Sequence, residues 1–233
     1  MGVALRARSL ELSYPTAGQT SLPVLDIPML DVASGEAVGV TGPSGAGETS
    51  LLHVLAGLTK PQRGSIEWGG LDIAGLSERR RDSWRRTTVG FVFQDFHLLA
   101  ELSLLDNVLL PATFAHIIVP SALRSRAREL LTRVGFERLE RRASTLSRGE
   151  MQRVAVARAM LYSPPVVVAD EPTASLDADN AGVVSRLLLE CCAEGGSTLL
   201  VVSHDRDLLD SLDRWILLLS GRLAPSRSAV AAG

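Results

Sequence analysis

Gly42 to Ser50 reads GPSGAGETS. Gly42, Gly45 and Gly47 allow a tight turn that points backbone N–H groups inward beside a helix N-terminus, which binds phosphate without any side chain. Pro43, Ser44 and Ala46 fill out the turn, and Thr49 stands where a Mg²⁺-ligating hydroxyl is expected in the pattern G-x-x-x-x-G-K-[ST]. The lysine of that pattern is missing, because position 48 is a glutamate. A second stretch, VVVADEP, ends a buried-type strand in Asp170 and Glu171, where ligands of open α/β sheets bind. Asp170 could hold Mg²⁺ through water, and Glu171 could polarise a water in line with a terminal phosphate. Taken alone, the same Asp-Glu pair could equally cap a helix. A third stretch, LSRGEMQRVAVARAM, places Ser147 and Gly149 ahead of a strong helix, a second helix start suited to an anion.

These groups need elements to hold them. EAVGVTG is a compact strand aimed at the glycine loop, and TSLLHVLAGL has helical apolar spacing that stops at Gly57. PVLDIPMLDV reads as a short strand, GSIEWGGLDIAGL as a strand, a Gly-Gly turn and a further short strand, and TVGFVFQ as a strand. From Leu98 to Leu161 the pattern turns helical, punctuated by Pro111 and Pro120. PPVVVADEP and STLLVVSHD then alternate with helices, and RWILLLSGRLA closes as a strand pair. Strands alternating with helices, with valine-rich runs, predict an α/β fold: a mostly parallel sheet covered on both faces, with an antiparallel β element beside it. The expected division is a single 233-residue unit in which 1–95 and 162–225 form the core and β subdomain. Residues 96–161 form an inserted helical subdomain, and 226–233 fray.

Composition narrows the function. Hydrophobic residues make up 46% and charged residues 21%, the balance of an ordinary folded protein. A net charge of −2 argues against a nucleic-acid partner. No apolar run approaches the roughly 20 residues of a membrane-spanning helix, and the N-terminal MGVALRARSLELSY lacks a signal-like stretch. Cys191 and Cys192 are neighbours, poorly placed to staple a fold, so a reduced cytosolic setting is expected. His53, His97 and His116 have no motif around them and read as structural, and ERRRDSWRR reads as a solvated face.

In chain order these stretches resemble the nucleotide-binding subunit of an ATP-binding-cassette (ABC) transporter over nearly the whole length. Tyr14 falls where that family stacks an aromatic on adenine, Gly42–Ser50 matches Walker A, and Gln94 of FVFQ the Q-loop. LSRGE, with Ser147, Arg148, Gly149 and Glu150, matches the family signature. Asp170 and Glu171 match Walker B and the catalytic glutamate. Asp177 of SLD matches the D-loop, and His204 of VVSHD the switch histidine. The resemblance implies a RecA-like P-loop NTPase core, ATP and Mg²⁺ as cofactors, and Thr49, Gln94 and Asp170 at the metal. Glu171, His204 and Gln94 would be at the chemistry. VGFVFQDFHLLAELSLLDNVLLP and ADEPTASLDADNA most resemble the lipoprotein-release, macrolide-export and cell-division group. That group implies a homodimer or heterodimer of cassettes beneath an FtsX-like or MacB-like integral-membrane permease. The subunit would then be cytoplasmic, on the inner face of the cell membrane.

Two positions depart from the family pattern. Glu48 turns an attraction for phosphate into a repulsion. One charge pair near 4 Å at an effective dielectric of about 20 is worth roughly 4 kcal/mol, so reversal could swing the local field by about twice that before screening. Nucleotide affinity and hydrolysis are therefore expected to be impaired. Lys60 is the only lysine in the chain and lies 12 residues along, so rescue would have to come from arginine. Arg148 replaces a signature glycine. If the signature of one subunit faces the Walker A of the other, as the resemblance implies, the two changes carry opposite charge and would meet across a homodimer. A non-hydrolysing regulatory or scaffold subunit is the alternative.

Overall fold

The computed structural model describes residues 1–16, 19–224 and 227–228. Two sheets share the chain. The first is antiparallel, in the order β2-β1-β4-β5, from β1 (Leu5–Thr16), β2 (Gln19–Val32), β4 (Arg63–Trp68) and β5 (Leu71–Asp72). The second runs β10-β9-β3-β8-β7-β6, from β3 (Ala37–Thr41), β6 (Val89–Val92), β7 (Val166–Asp170), β8 (Thr198–Val202), β9 (Arg214–Leu219) and β10 (Arg222–Leu223). Strands β6, β7, β8, β3 and β9 are mutually parallel; β10 returns antiparallel on β9. Arg227–Ser228, expected to fray, forms β11 on β9; the rest of that tail lies outside the described residues.

The valine runs follow from burial on both faces. Val167 and Ala169 of β7, with Leu199 and Val201 of β8, join one apolar cluster. Val166, Val168, Leu200 and Val202 point the other way into a second. The second cluster holds the antiparallel sheet and α1 (Glu48–Leu55). The first is filled by α3 (Leu104–Thr113), α4 (Ser121–Arg133), α5 (Arg148–Ala159), α6 (Ala178–Gly195) and the short α7 (Arg206–Asp210). Cys191 and Cys192 are free and buried in α6, where burial pushes the Cys192 thiol up to about 12.

Three local expectations change. β2 is 14 residues long because its inward residues Leu25, Ile27, Leu30 and Val32 pair along β1 through Pro23. Pro111 does not end a helix: α3 runs through it to a cap at Phe114, while Pro120 stands as the N-cap of α4. The arginine-rich α2 (Glu78–Thr88) is not a purely solvated face. Arg81 is buried, and Arg85 donates to the Gly57 carbonyl and to Asp82. No helix among the described residues is long and apolar enough to cross a membrane.

Candidate functional site

Strands β3, β7, β8 and β6 all deliver their carboxyl ends to one edge of the parallel sheet, and each delivery carries a predicted residue. From β3 the chain enters the glycine loop and α1; from β7 come Asp170 and Glu171; from β8, His204; from β6, Gln94. Ser44, Gly45, Glu48, Thr49, Gln94, Glu171 and His204 line one cleft of about 680 Å³. Asp170 joins them through Thr49, whose Oγ1 donates to Asp170 Oδ1 at 3.2 Å.

The loop is held from outside. Gly221 N–H donates to the Ala46 carbonyl at 2.9 Å, and Ala46 N–H closes the turn onto Pro43 O at 2.9 Å. Gly47 is the N-cap of α1 with φ 104°, a left-handed conformation that admits glycine, and it gives no side-chain cap. The first amides of α1 therefore meet no capping group of the chain's own. Ser50 follows inside the first turn. Glu48 folds inward and is only 7% exposed, with its Oε1 3.0 Å from where a Cβ on Gly42 would stand. That Oε1 is buried without a hydrogen-bond partner. Leaving such an acceptor unsatisfied costs about 1–3 kcal/mol. Leu51, Leu52, Val54 and Leu55 of the same helix are buried at about 1.5–3 kcal/mol each, so the fold absorbs the cost.

Glu171 sits at φ 47°, a conformation unusual for a side-chain-bearing residue, and its N–H donates to Val202 O at 2.9 Å. Its Oε1 is 3.4 Å from His204 Nε2. Burial pushes the Glu171 carboxyl up, against the pull of His204, with Asp170 and Glu48 adding to the rise. Burial likewise raises Asp170, opposed by the Thr49 hydrogen bond. Beside them Thr173 Oγ1 donates to Asp205 Oδ2 at 3.0 Å.

The open turn at Gly45, where an added Cβ would meet nothing within 4 Å, and the Thr49–Asp170 pair fit a phosphate chain and a hydrated divalent cation. Glu48 alone runs against the fit, since it brings an acidic side chain to the lining of a cleft suited to phosphate.

The remaining predicted residues are not in the cleft lining, although Asp177 stands between Leu176 and Ala178, which are. Ser147 caps α5 in a reciprocal box: its Oγ accepts from Glu150 N at 3.3 Å, and Glu150 Oε2 accepts from Ser147 N at 2.8 Å. Arg141 pairs with Glu150 at 3.0 Å. A Cβ on Gly149 would fall 2.3 Å from Asn180 Oδ1, so α5 and α6 meet there only because Gly149 has none. Asp177 caps α6 through Asn180 N and Nδ2 at 2.9 and 2.7 Å. Arg148 is exposed and lies over the Phe96 ring at 5.6 Å. Tyr14 is exposed on β1, paired with Leu22, outside the cleft lining.

A second cavity, about 630 Å³ and mostly apolar, opens between α2, β6, α3 and α5, with Phe91, Phe93, Leu110, Phe114 and Arg158 among its walls. Phe114, Ile117 and Ile118 on the adjoining turn are 77%, 106% and 83% exposed, a patch that no sequence motif marked. The sequence reading also passed over Gln152 and Arg158 of α5. A single glutamine, and one of three arginines, in a helix buried around most of its girth was the available signal.

The sequence model described as "ABC transporter" matches residues 25–174. The chain is 43% identical to lipoprotein-releasing system ATP-binding protein LolD 1 of Rhodopirellula baltica, covering 92% of this chain and 93% of that one. It is also 43% identical to LolD of Maricaulis maris, over 95% and 96%. Among solved structures, the dimeric cassette MJ0796 bound to ADP and Pi superposes with a TM-score of 0.87 at 31% identity, over 97% of this chain and 98% of that one. Matched over more than nine-tenths of its length in both sequence and fold, the chain belongs to the ABC transporter family, as an ATP-binding cassette of the lipoprotein-releasing LolD type.

Proposed function

We propose that the chain is the ATP-binding subunit of a transporter complex and couples ATP binding and hydrolysis to work by a partner membrane permease of the lipoprotein-release or export type. The observation that carries this is the convergence of four strand ends on one cleft holding Thr49, Asp170, Glu171, Gln94 and His204. Relatives named as lipoprotein-releasing ATP-binding proteins, and a cassette described with ADP and Pi, support it.

In this reading the amides from Gly45 to Thr49 hold phosphate, and Thr49, Asp170 and Gln94 hold Mg²⁺. ATP supplies the phosphoanhydride bond, and Mg²⁺ would screen its charge. Glu171 orients and deprotonates water, helped by a raised affinity for protons, while His204 holds the carboxylate in place. Tyr14 lies beyond the cleft wall as a stacking surface for the base. Ser147, Arg148, Gly149, Glu150 and Asp177, none of them in the lining of this cleft, serve a second cassette, so the working unit is a homodimer or a heterodimer. The apolar cavity beside Phe114 gives the permease a seat next to the Gln94 loop, and the subunit works on the cytoplasmic face of the cell membrane.

Glu48 weakens binding and slows hydrolysis. Turnover of Mg·ATP by the purified chain beside Glu48→Lys tests this: at least a tenfold gain in the variant is expected, lost again on adding Glu171→Gln. No turnover in either protein, with the permease supplied, would overturn the ATPase reading. The orphaned Glu48 oxygen favours one second reading, a non-hydrolysing regulatory subunit paired with an active ATPase. Measurable native turnover that Glu171→Gln abolishes excludes it.

A further inference from the structure

Helix α5 reaches both catalytic segments from behind. Gln152 is fully buried, and its Nε2 donates twice: to Pro172 O at 2.8 Å and to Phe93 O at 3.3 Å. Pro172 directly follows Glu171, and Phe93 directly precedes Gln94. One amide group therefore bridges the backbone of the two segments. Two turns along, Arg158 donates to Phe96 O and His97 O, both at 2.7 Å, and fastens the far side of the same loop. His97 takes φ 46° there, a left-handed backbone that the two flanking hydrogen bonds hold in place.

The bridge has a cost that packing alone would not select. Gln152 Oε1 is buried with no partner, so an apolar side chain of similar volume would fill the space without that penalty. The retained group is the donor, and both of its hydrogens go to carbonyls beside Gln94 and Glu171. Nothing else among the described hydrogen bonds joins these two segments directly.

We propose that Gln152 is a positioning residue that sets Gln94 and Glu171 at a fixed separation, with Arg158 holding the rest of the Phe93–His97 loop in register. The catalytic consequence rests on the ATPase reading above; the mechanical clamp does not. Gln152 touches no substrate and acts through two backbone carbonyls.

Gln152→Met keeps the volume and removes both the donors and the orphaned acceptor. Hydrogen exchange, followed by mass spectrometry, should accelerate at least tenfold in peptides covering 93–99 and 171–175 together, while the melting temperature holds or rises. In the Glu48→Lys background, kcat should fall at least tenfold with KM within twofold. Gln152→Glu, which replaces the donors with acceptors, should accelerate exchange in both peptides as well, with a lowered melting temperature from the buried carboxylate. Should Gln152→Met not fold, Gln152→Asn, too short to span both carbonyls, carries the same expectation. Unchanged exchange at either segment overturns the clamp whether or not the protein turns over ATP. Accelerated exchange with unchanged kcat, or kcat falling only in step with the melting temperature, overturns the positioning role. Absence of turnover in the Glu48→Lys parent is read separately, as failure of the ATPase reading.

Discussion

Helices α1 and α5 both start in sequences suited to an anion, yet they are finished in opposite ways. At α5 the chain supplies its own partners: Ser147 and Glu150 exchange hydrogen bonds and Arg141 neutralises the carboxylate. At α1 the cap is a left-handed glycine with no side chain, and the one acid in the first turn is buried with an unsatisfied oxygen. A capping box takes up the Ser147 and Glu150 N–H groups, two of the donors an anion would want. A bare glycine cap leaves them for a ligand, and the structure stays incomplete until something arrives. The start of α5 is therefore partly closed by its own side chains, and the start of α1 is open.

The comparison can be broken at three points. The largest effect belongs to Glu48→Gln, which keeps the shape and removes the charge. Mg·ATP affinity by titration calorimetry should improve about 30-fold or more, roughly half the field of a full charge pair at 4 Å. An unchanged affinity would mean that phosphate never senses the carboxylate, and the open start would lose its meaning. Next, Ser147→Ala should lower stability by about 1 kcal/mol, seen as a fall of about 2–4 °C in melting temperature, and leave the isolated subunit's nucleotide affinity alone. Weaker binding in the isolated subunit would show that the α5 start takes part in the cleft of its own chain.

The smallest effect is a dependence on pH. Burial pushes Glu150 up, but hydrogen bonds from Ser147 and Arg141 outweigh it and leave its carboxyl below the usual value. A depressed carboxylate means the unfolded chain binds more protons, so its stabilisation is complete above the unfolded value near 4.3 and fades as pH falls through the folded one. The melting temperature of the parent should thus drop more steeply than that of Glu150→Gln between about pH 5 and 3. Parallel curves would remove the carboxylate from the cap.

The sequence made the strand ends and their cargo legible because period and glycine placement are local properties. VVVAD reads as a strand of the buried type, and the strand EAVGVTG leads straight into GPSGAGETS. What escaped was decided by partners distant in sequence. The length of β2 depends on β1, the survival of α3 through Pro111 on packing, and the pairing of Arg227–Ser228 on β9. Glu48 was readable as a charge but not as a buried one, since the direction of a side chain is set by the walls around it. Gln152 was invisible for the same reason: its meaning lies in two carbonyls, 59 and 20 residues away.

The turn after α3 leaves Phe114, Ile117 and Ile118 bare to water. Any copy made in excess of whatever covers them would be adhesive, drawn to its own kind and to exposed chains nearby. The rate at which a cell makes this subunit relative to its complex then matters as much as the sequence, because surplus molecules would be the first to clump and be degraded.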